Sequence, residues 1–146
     1  MPMNKTLMKV IGIAHTSLYK ISGGKLTRNM RGSEVVLLTT TGRKSGKQRT
    51  TPLFGLADGE NWTVIASQGG HPEHPNWYLN LRDNPDVALQ VGSEKQRMRA
   101  ETAEGPERER LWKSMAEMYD GYDEYQKLTT RVIPVVVLKP VATADA

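Results

Sequence analysis

Short segments that are rich in β-branched residues or, at 86–91 and 97–102, alternate in polarity limit what this chain can fold into; turns that contain glycine, proline or asparagine separate them. Runs of this length and composition are typical of β-strands. They cover residues 34–40, 50–56, 61–67, 86–91, 97–102 and 133–138. Few helical stretches separate them, so the strands are expected to pair antiparallel. The pattern predicts a mainly β fold with some helix (α+β), a small barrel or roll of about six antiparallel strands with short peripheral helices.

Three stretches have the apolar spacing of helices. The N-terminal stretch carries apolar residues at intervals of three and four, at Leu7, Ile11, Ala14, Leu18 and Ile21. Lysines lie beside this apolar face, so the helix either packs on the domain or contacts anionic lipid. Residues 75–82 begin with a proline, and residues 105–118 begin with Gly-Pro-Glu, both of which are typical helix starts.

The length of 146 residues fits one domain with a single core. We expect an amphipathic helix and linker at residues 1–31, the β domain at 32–140 and a disordered tail at 141–146. No run approaches the ~18 apolar residues of a membrane span, which favours a cytoplasmic protein. Cysteine is absent, which excludes disulfides and cysteine nucleophiles. His71 and His74 have no obvious third ligand nearby, so no metal site is expected.

Positive charge is concentrated in the first third of the chain. Residues 1–50 contain ten Lys or Arg and one acid, a net charge of +9, whereas the rest contains ten bases and fifteen acids, a net charge of −5. This asymmetry predicts an anionic partner for the first third. Nucleic acid, a membrane surface and a phosphorylated cofactor all meet that requirement.

The connection between the first two predicted strands, residues 39–49, contains four cations, two glycines and several hydroxyl groups. Glycine permits turns that direct backbone N–H groups toward one point, and Arg43, Lys44 and Arg49 can bind phosphate or carboxylate oxygens. The spacing differs from that of a Walker motif, which argues against a nucleoside triphosphatase. The segment is therefore either an anion-binding turn or a solvated basic hairpin.

Five motifs in a fixed order resemble the deazaflavin-dependent nitroreductase family. They are Thr39–Gly46, Arg49, Pro52-Leu53, Ala66–Gly70 and Pro75–Leu81, within a similarity that extends from about residue 35 to residue 140. The resemblance implies a split β-barrel, similar to proteins that bind flavin mononucleotide (FMN), with reduced coenzyme F420 in an open groove. The basic turn would then meet the phosphate and oligoglutamate tail of that coenzyme.

The resemblance also implies roles for individual residues. The cofactor would be bound by Arg43, Lys44, Arg49, Pro52, Phe54, Ala66, Ser67, Gln68, Gly69, Asn76 and Trp77. Within this set, Ala66 to Gly69 would line the deazaflavin ring, and Asn76 and Trp77 would border it from the short helix, although a tryptophan on a short amphipathic helix is as typical of a core. Gln68, Phe54 and Asn76 depart from the commonest residues of the family, which leaves the acceptor open.

Three tyrosines, Tyr119, Tyr122 and Tyr125, recur every three residues and would face one side of a helical turn. In the family, matching tyrosines flank the acceptor pocket. A neutral phenol can donate a hydrogen bond or a proton as hydride arrives, and we assign that catalytic role to Tyr122, together with Ser67. The alternative is aromatic packing against the barrel.

These observations predict an F420H2-dependent oxidoreductase that transfers a hydride to a small organic acceptor: a quinone, a nitroaromatic compound or an activated alkene. The alternatives are an FMN-dependent oxidoreductase on the same barrel and a protein that only binds or stores the cofactor. Nucleic acid is not expected, because the aromatic residues lie far in sequence from the basic turn. We expect a monomer or weak dimer in the cytoplasm, with the N-terminal helix able to bring it to the inner face of the membrane.

Overall fold

In the computed structural model, which describes residues 34–141, six strands form a closed antiparallel barrel. The strands are β1 (Glu34–Thr41), β2 (Gln48–Asp58), β3 (Asn61–Ile65), β4 (Asp86–Val91), β5 (Glu94–Thr102) and β6 (Val135–Pro140). Their order around the barrel is β1-β2-β3-β6-β5-β4, and β4 pairs with β1 to close it. This architecture confirms the predicted fold class.

Three α-helices lie outside the strands in the described residues: α1 (Asn76–Asp83), α2 (Gly105–Met118) and α3 (Gly121–Lys127). A single 3-10 turn, Gln68–Gly70, precedes α1. None of these helices is long and apolar enough to cross a membrane. The predicted N-terminal helix and residues 142–146 lie outside the described residues, so those two predictions stay untested.

The strand boundaries differ from the predicted ones where proline or loop geometry intervenes. β2 begins at Gln48, two residues early, because Gln48 pairs with Thr41 across a turn of residues 42–47. β3 ends at Ile65 because Ser67 adopts a helical backbone conformation. β6 begins at Val135 because Pro134 has no amide hydrogen to donate; its carbonyl accepts the Ala66 amide at 3.0 Å.

The interior of the barrel is filled by inward-facing strand residues and by one face of α1. The strands contribute Val36, Leu38, Val64, Val87, Leu89, Met98, Val136 and Leu138, and α1 contributes Trp77, Tyr78 and Leu81. Burying a large apolar side chain contributes about 1.5–3 kcal/mol, so this cluster contributes strongly to the stability of the domain. It also fixes α1 against β1, which matters for the basic turn that follows β1.

A second core lies on the outer face of β3 and β6, beneath α2 and α3. Ile65, Val135 and Val137 face outward because successive side chains of a strand alternate between its two faces. Leu111 and Met115 of α2 cover them, together with Tyr122 of α3. This packing places the tyrosine segment beside the end of β3, where the 3-10 turn begins.

Candidate functional site

The basic turn between β1 and β2 is exposed and conformationally defined. The Gly42 amide donates to the Lys47 carbonyl and the Gly46 amide to the Gly42 carbonyl, both at 2.8 Å. Gly46 has φ +72°, which a residue with a side chain rarely adopts. Within residues 34–141, no ion pair involves the cations of this turn, Arg43, Lys44 and Lys47, or Arg49 beside it. Their charges are therefore available to an anionic ligand.

Asn80 of α1 holds one end of this turn. Its side-chain oxygen accepts hydrogen bonds from the Arg43 amide at 3.2 Å and from the Arg43 guanidinium at 2.9 Å. Its side-chain nitrogen donates to the Thr40 hydroxyl at 3.3 Å, and Asn80 is 5% exposed. No role was predicted for Asn80 from the sequence. The signal that could have found it is a polar residue on the buried face of α1, between Trp77 and Leu81.

The loop after β3 has an unusual backbone. Ser67 is right-handed (φ −77°, ψ −36°), whereas Gln68, Gly69 and Gly70 have φ of +46°, +61° and +80°. A right-handed residue followed by a left-handed one forms a nest, in which successive N–H groups converge on one concave side. The amides of Ser67, Gln68 and Gly69 donate no hydrogen bond to any described residue. This loop, residues 66–70, is named the nest loop below.

Three carbonyl groups of the nest loop, by contrast, are bonded: those of Ala66 and Ser67 to Arg131, and that of Gln68 to the His71 amide. The Arg131 guanidinium donates to the carbonyls of Ala66 (3.2 Å), Ser67 (2.8 Å) and His71 (2.9 Å), and it lies 3.0 Å from His74 Nδ1. Burial lowers the pKa of Arg131. Burial, Arg131 and Arg82 lower the pKa of His74, which favours its neutral imidazole form. Sequence reasoning missed Arg131, whose only signal is a lone cation just before an apolar strand.

The three predicted acceptor-site tyrosines form one aromatic cluster. The hydroxyls of Tyr119 and Tyr125 are 2.9 Å apart, and the rings of Tyr119 and Tyr122 meet edge to face at 5.2 Å. Phe54 of β2 joins them, with its ring 6.0 Å from that of Tyr119. The nest loop touches this cluster at Gly70, because a Cβ added to Gly70 would lie 2.9 Å from the Tyr125 carbonyl oxygen. The structure thus brings together the nest loop, Phe54 and the tyrosines.

Tyr122 differs from its two neighbours in its hydroxyl group. The residue is 4% exposed, and burial raises its pKa above the ordinary value. Its hydroxyl forms no hydrogen bond with the described residues. Burial and the hydrogen bond to Tyr119 raise the pKa of Tyr125 to about 12. Both phenols are therefore protonated donors at neutral pH.

The other predicted site residues are distributed around this arrangement. Pro52 and Phe54 share one face of β2, opposite Leu37 and Val35 of β1. Asn76 is exposed at the start of α1, whereas Trp77 is 8% exposed within the barrel core. The packing alternative considered for Trp77 is thus present, and its contact with a cofactor stays a prediction. In the described part of the chain, no three His, Asp or Glu residues are grouped so as to bind a metal ion.

Comparison with known proteins identifies the family. Residues 13–140 match the family model described as F420H(2)-dependent quinone reductase. The chain belongs to this family. It is 36% identical to an F420H(2)-dependent quinone reductase of Mycobacterium tuberculosis over 94% of this chain and 98% of the relative. The F420H(2)-dependent quinone reductase family therefore accounts for nearly the whole described structure.

Two solved structures agree with this assignment to the quinone reductase family. The structure of an F420-H2 dependent reductase is 44% identical, covers 72% of this chain and 93% of its own, and superposes with a TM-score of 0.67. A second structure, described as a domain-swapped dimer, is 38% identical, covers 87% and 96%, and has a TM-score of 0.70. These comparisons confirm the predicted enzyme class, an F420-dependent reductase, and its predicted cofactor, F420.

Proposed function

We propose that this enzyme reduces a quinone with F420H2, with the cofactor held between the basic turn and the nest loop and the acceptor held by the tyrosine cluster. One observation carries the proposal: the same domain presents cations without ion-pair partners, in the basic turn, and backbone amides without hydrogen-bond acceptors, in the nest loop. Asn80 connects the basic turn to α1, and the loop that contains residues 66–75 leads directly into that helix. When bound, F420H2 supplies the hydride.

The basic turn suits the phosphate and oligoglutamate tail of the cofactor. Arg43, Lys44 and Arg49 are exposed and free of ion pairs within the described residues. Charge-assisted hydrogen bonds from such groups to phosphate are stronger than neutral ones. Asn80 restricts the Arg43 side chain before any ligand arrives, which reduces the entropy lost on binding.

The nest loop suits the ring of the cofactor. Three unbonded amides, of Ser67, Gln68 and Gly69, converge where electronegative ring atoms need donors. Gly69 and Gly70 carry no side chain, so a flat ring can approach the backbone closely. The buried position of Ser67 and Gly69 limits competition from water for these donors.

The tyrosine cluster suits a quinone oxygen. Reduction of a quinone to a hydroquinone takes up one hydride and one proton, and negative charge develops on oxygen before the proton arrives. The Tyr122 hydroxyl has no hydrogen-bond partner within the described residues. It can therefore donate to that oxygen as negative charge develops there. Tyr119 and Tyr125 hold each other through their hydroxyls and support the position of Tyr122.

We further propose that the enzyme works in the cytoplasm as a monomer or weak dimer, with its basic N-terminal segment near the inner face of the membrane. The support is the charge of +9 on residues 1–50 and the lipid solubility of many quinones. Flotation with vesicles that contain anionic lipid, before and after removal of residues 1–31, tests the membrane contact. Equal flotation of the two proteins would contradict it.

The test of the proposed site is fluorescence titration of the purified protein with F420, followed by oxidation of F420H2 with menadione. Lys44→Ala and Arg49→Ala are expected to weaken binding roughly tenfold each, since each removes a charge-assisted contact to the tail. Lys95→Ala is the matched control, because Lys95 is an exposed cation on the distant β4–β5 hairpin. Equal affinity of all four proteins would refute the placement of the tail.

A further inference from the structure

Arg131 contacts the nest loop only from its carbonyl side. Its guanidinium donates to the carbonyls of Ala66, Ser67 and His71, which lie 60 to 65 positions before Arg131 in the sequence. No ion pair of residues 34–141 includes Arg131. The planar fork of an arginine can hold several carbonyls in one geometry, which an ammonium group cannot do.

Two of these carbonyls determine where the unbonded amides point. The Ala66 carbonyl and the Ser67 amide belong to one peptide unit, and the Ser67 carbonyl and the Gln68 amide belong to the next. Because a trans peptide is planar, its C=O and N–H groups point in opposite directions. When Arg131 fixes the two carbonyls, it directs the Ser67 and Gln68 amides to the opposite side of the loop.

The backbone of the loop needs such support. Gln68 has φ +46° and is the one residue other than glycine with positive φ among the described residues. A left-handed conformation is unfavourable for a residue with a side chain and persists only where the surroundings hold it. The Gly70 and His71 amides add two bonds within the loop, to the Ser67 carbonyl at 3.0 Å and the Gln68 carbonyl at 3.1 Å. Of the cations in the described structure, Arg131 alone donates side-chain hydrogen bonds to the nest loop.

We propose that Arg131 is a positioning residue that orients the Ser67 and Gln68 amides toward the deazaflavin ring from behind the loop, without contacting the ring itself. This inference rests on the proposed function of the nest loop. The guanidinium also polarises the two peptide units that it binds, so their N–H groups become stronger donors. Loss of Arg131 therefore affects binding of the ring and not binding of the phosphate tail.

The first measurement needs no cofactor. Amide hydrogen exchange of the free protein, followed by NMR, compares the wild type with Arg131→Met and Arg131→Lys. We expect the Gly70 and His71 amides to exchange at least roughly tenfold faster in both variants, since their acceptor peptides lose support. The Val136 amide of β6, in the barrel core, serves as the internal reference and should be unchanged. Unchanged Gly70 and His71 protection in both variants would overturn the proposal.

The second measurement separates the ring from the tail. Wild type, Arg131→Met and Lys44→Ala are titrated with whole F420 and with a deazaflavin fragment that lacks the phosphate and oligoglutamate. We expect Arg131→Met to bind both ligands roughly tenfold more weakly. Lys44→Ala should bind whole F420 more weakly but bind the fragment as the wild type does. Equal binding of the fragment by Arg131→Met and wild type would overturn the positioning role. Failure of wild type to bind whole F420 would instead refute the proposed function.

The lysine variant distinguishes geometry from charge. Arg131→Lys keeps the positive charge but cannot hold three carbonyls in a fixed fork, so its fragment affinity should lie near that of Arg131→Met. An affinity equal to that of the wild type would mean that charge alone matters, which contradicts the proposal. Circular dichroism confirms that each variant is folded, and Arg131→Lys carries the test if Arg131→Met does not fold.

Discussion

Replacing Asn80 with alanine should loosen the basic turn and weaken both the fold and cofactor binding. Asn80 is buried and makes three hydrogen bonds, two to Arg43 and one to Thr40. Alanine removes all three and leaves the buried Thr40 hydroxyl without its amide partner. The Arg43 amide and guanidinium can turn to water because Arg43 is exposed, so their loss costs less than that of buried groups.

The expected magnitude follows from these bonds. A neutral hydrogen bond contributes about 0.5–1.5 kcal/mol and a bond to a charged group somewhat more, so Asn80→Ala should lower the free energy of unfolding by about 2–4 kcal/mol. For a chain of this size, each kcal/mol lowers Tm by about 3 °C, which predicts a fall of roughly 6–12 °C. The affinity for F420 should fall several-fold, because Arg43 is no longer held before binding.

Thermal unfolding and fluorescence titration of Asn80→Ala, Arg43→Ala and the double variant provide the assay. If Asn80 acts on the cofactor through Arg43, the effects of the two single changes on F420 affinity will not add in the double variant. Additive effects would show that Asn80 acts independently of Arg43. An unchanged Tm in Asn80→Ala would refute the stability argument altogether.

Three further predictions concern the acceptor, the loop and pH. Tyr122→Phe should lower kcat with menadione by roughly a hundredfold and leave the F420 Kd unchanged, as stopped-flow kinetics would show; an unchanged kcat excludes Tyr122 as the donor. Gly70→Ala should destabilise the fold by about 2–3 kcal/mol in denaturant unfolding, because φ is +80° and a Cβ would lie 3.0 Å from the Leu128 side chain. Gly59→Ala is the control: Gly59 has φ +62° but no atoms near the added Cβ, so this change should cost about 1 kcal/mol. Arg131→Met should raise the pKa of His74, which the positive charge now lowers, in an NMR titration. The pKa of His74 in the folded protein lies below its unfolded value of about 6.5, so the unfolded state binds the proton more tightly. The stability of the fold should therefore decrease as the pH drops below about 6.5. This decrease should be less steep in Arg131→Met.

Much of the fold was readable in the sequence because its signals are local. The β-branched runs and, for β4 and β5, the alternation around Gly92 predicted all six strands, and Gly105-Pro106 predicted the start of α2, which ends at Met118 as expected. The errors lie at strand ends, such as β5 beginning at Glu94 and not at residue 97, and in α3, which was not predicted as a helix. At Ser67, a tertiary loop conformation overrides the strand-like composition of the residues before it. The motifs that resemble a deazaflavin-dependent family led to the enzyme class and cofactor that the family match confirms.

By itself, the sequence determined the strands, the basic turn and the enzyme family, since residue composition, glycine positions and short motifs encode each of them over a few residues. Tertiary structure alone decided how the site is held. Asn80 meets Arg43 from 37 positions away, and Arg131 reaches the nest loop from 60 or more. Contacts at such separations depend on barrel closure and on the packing of α1 and α3, and no local pattern of residues specifies them.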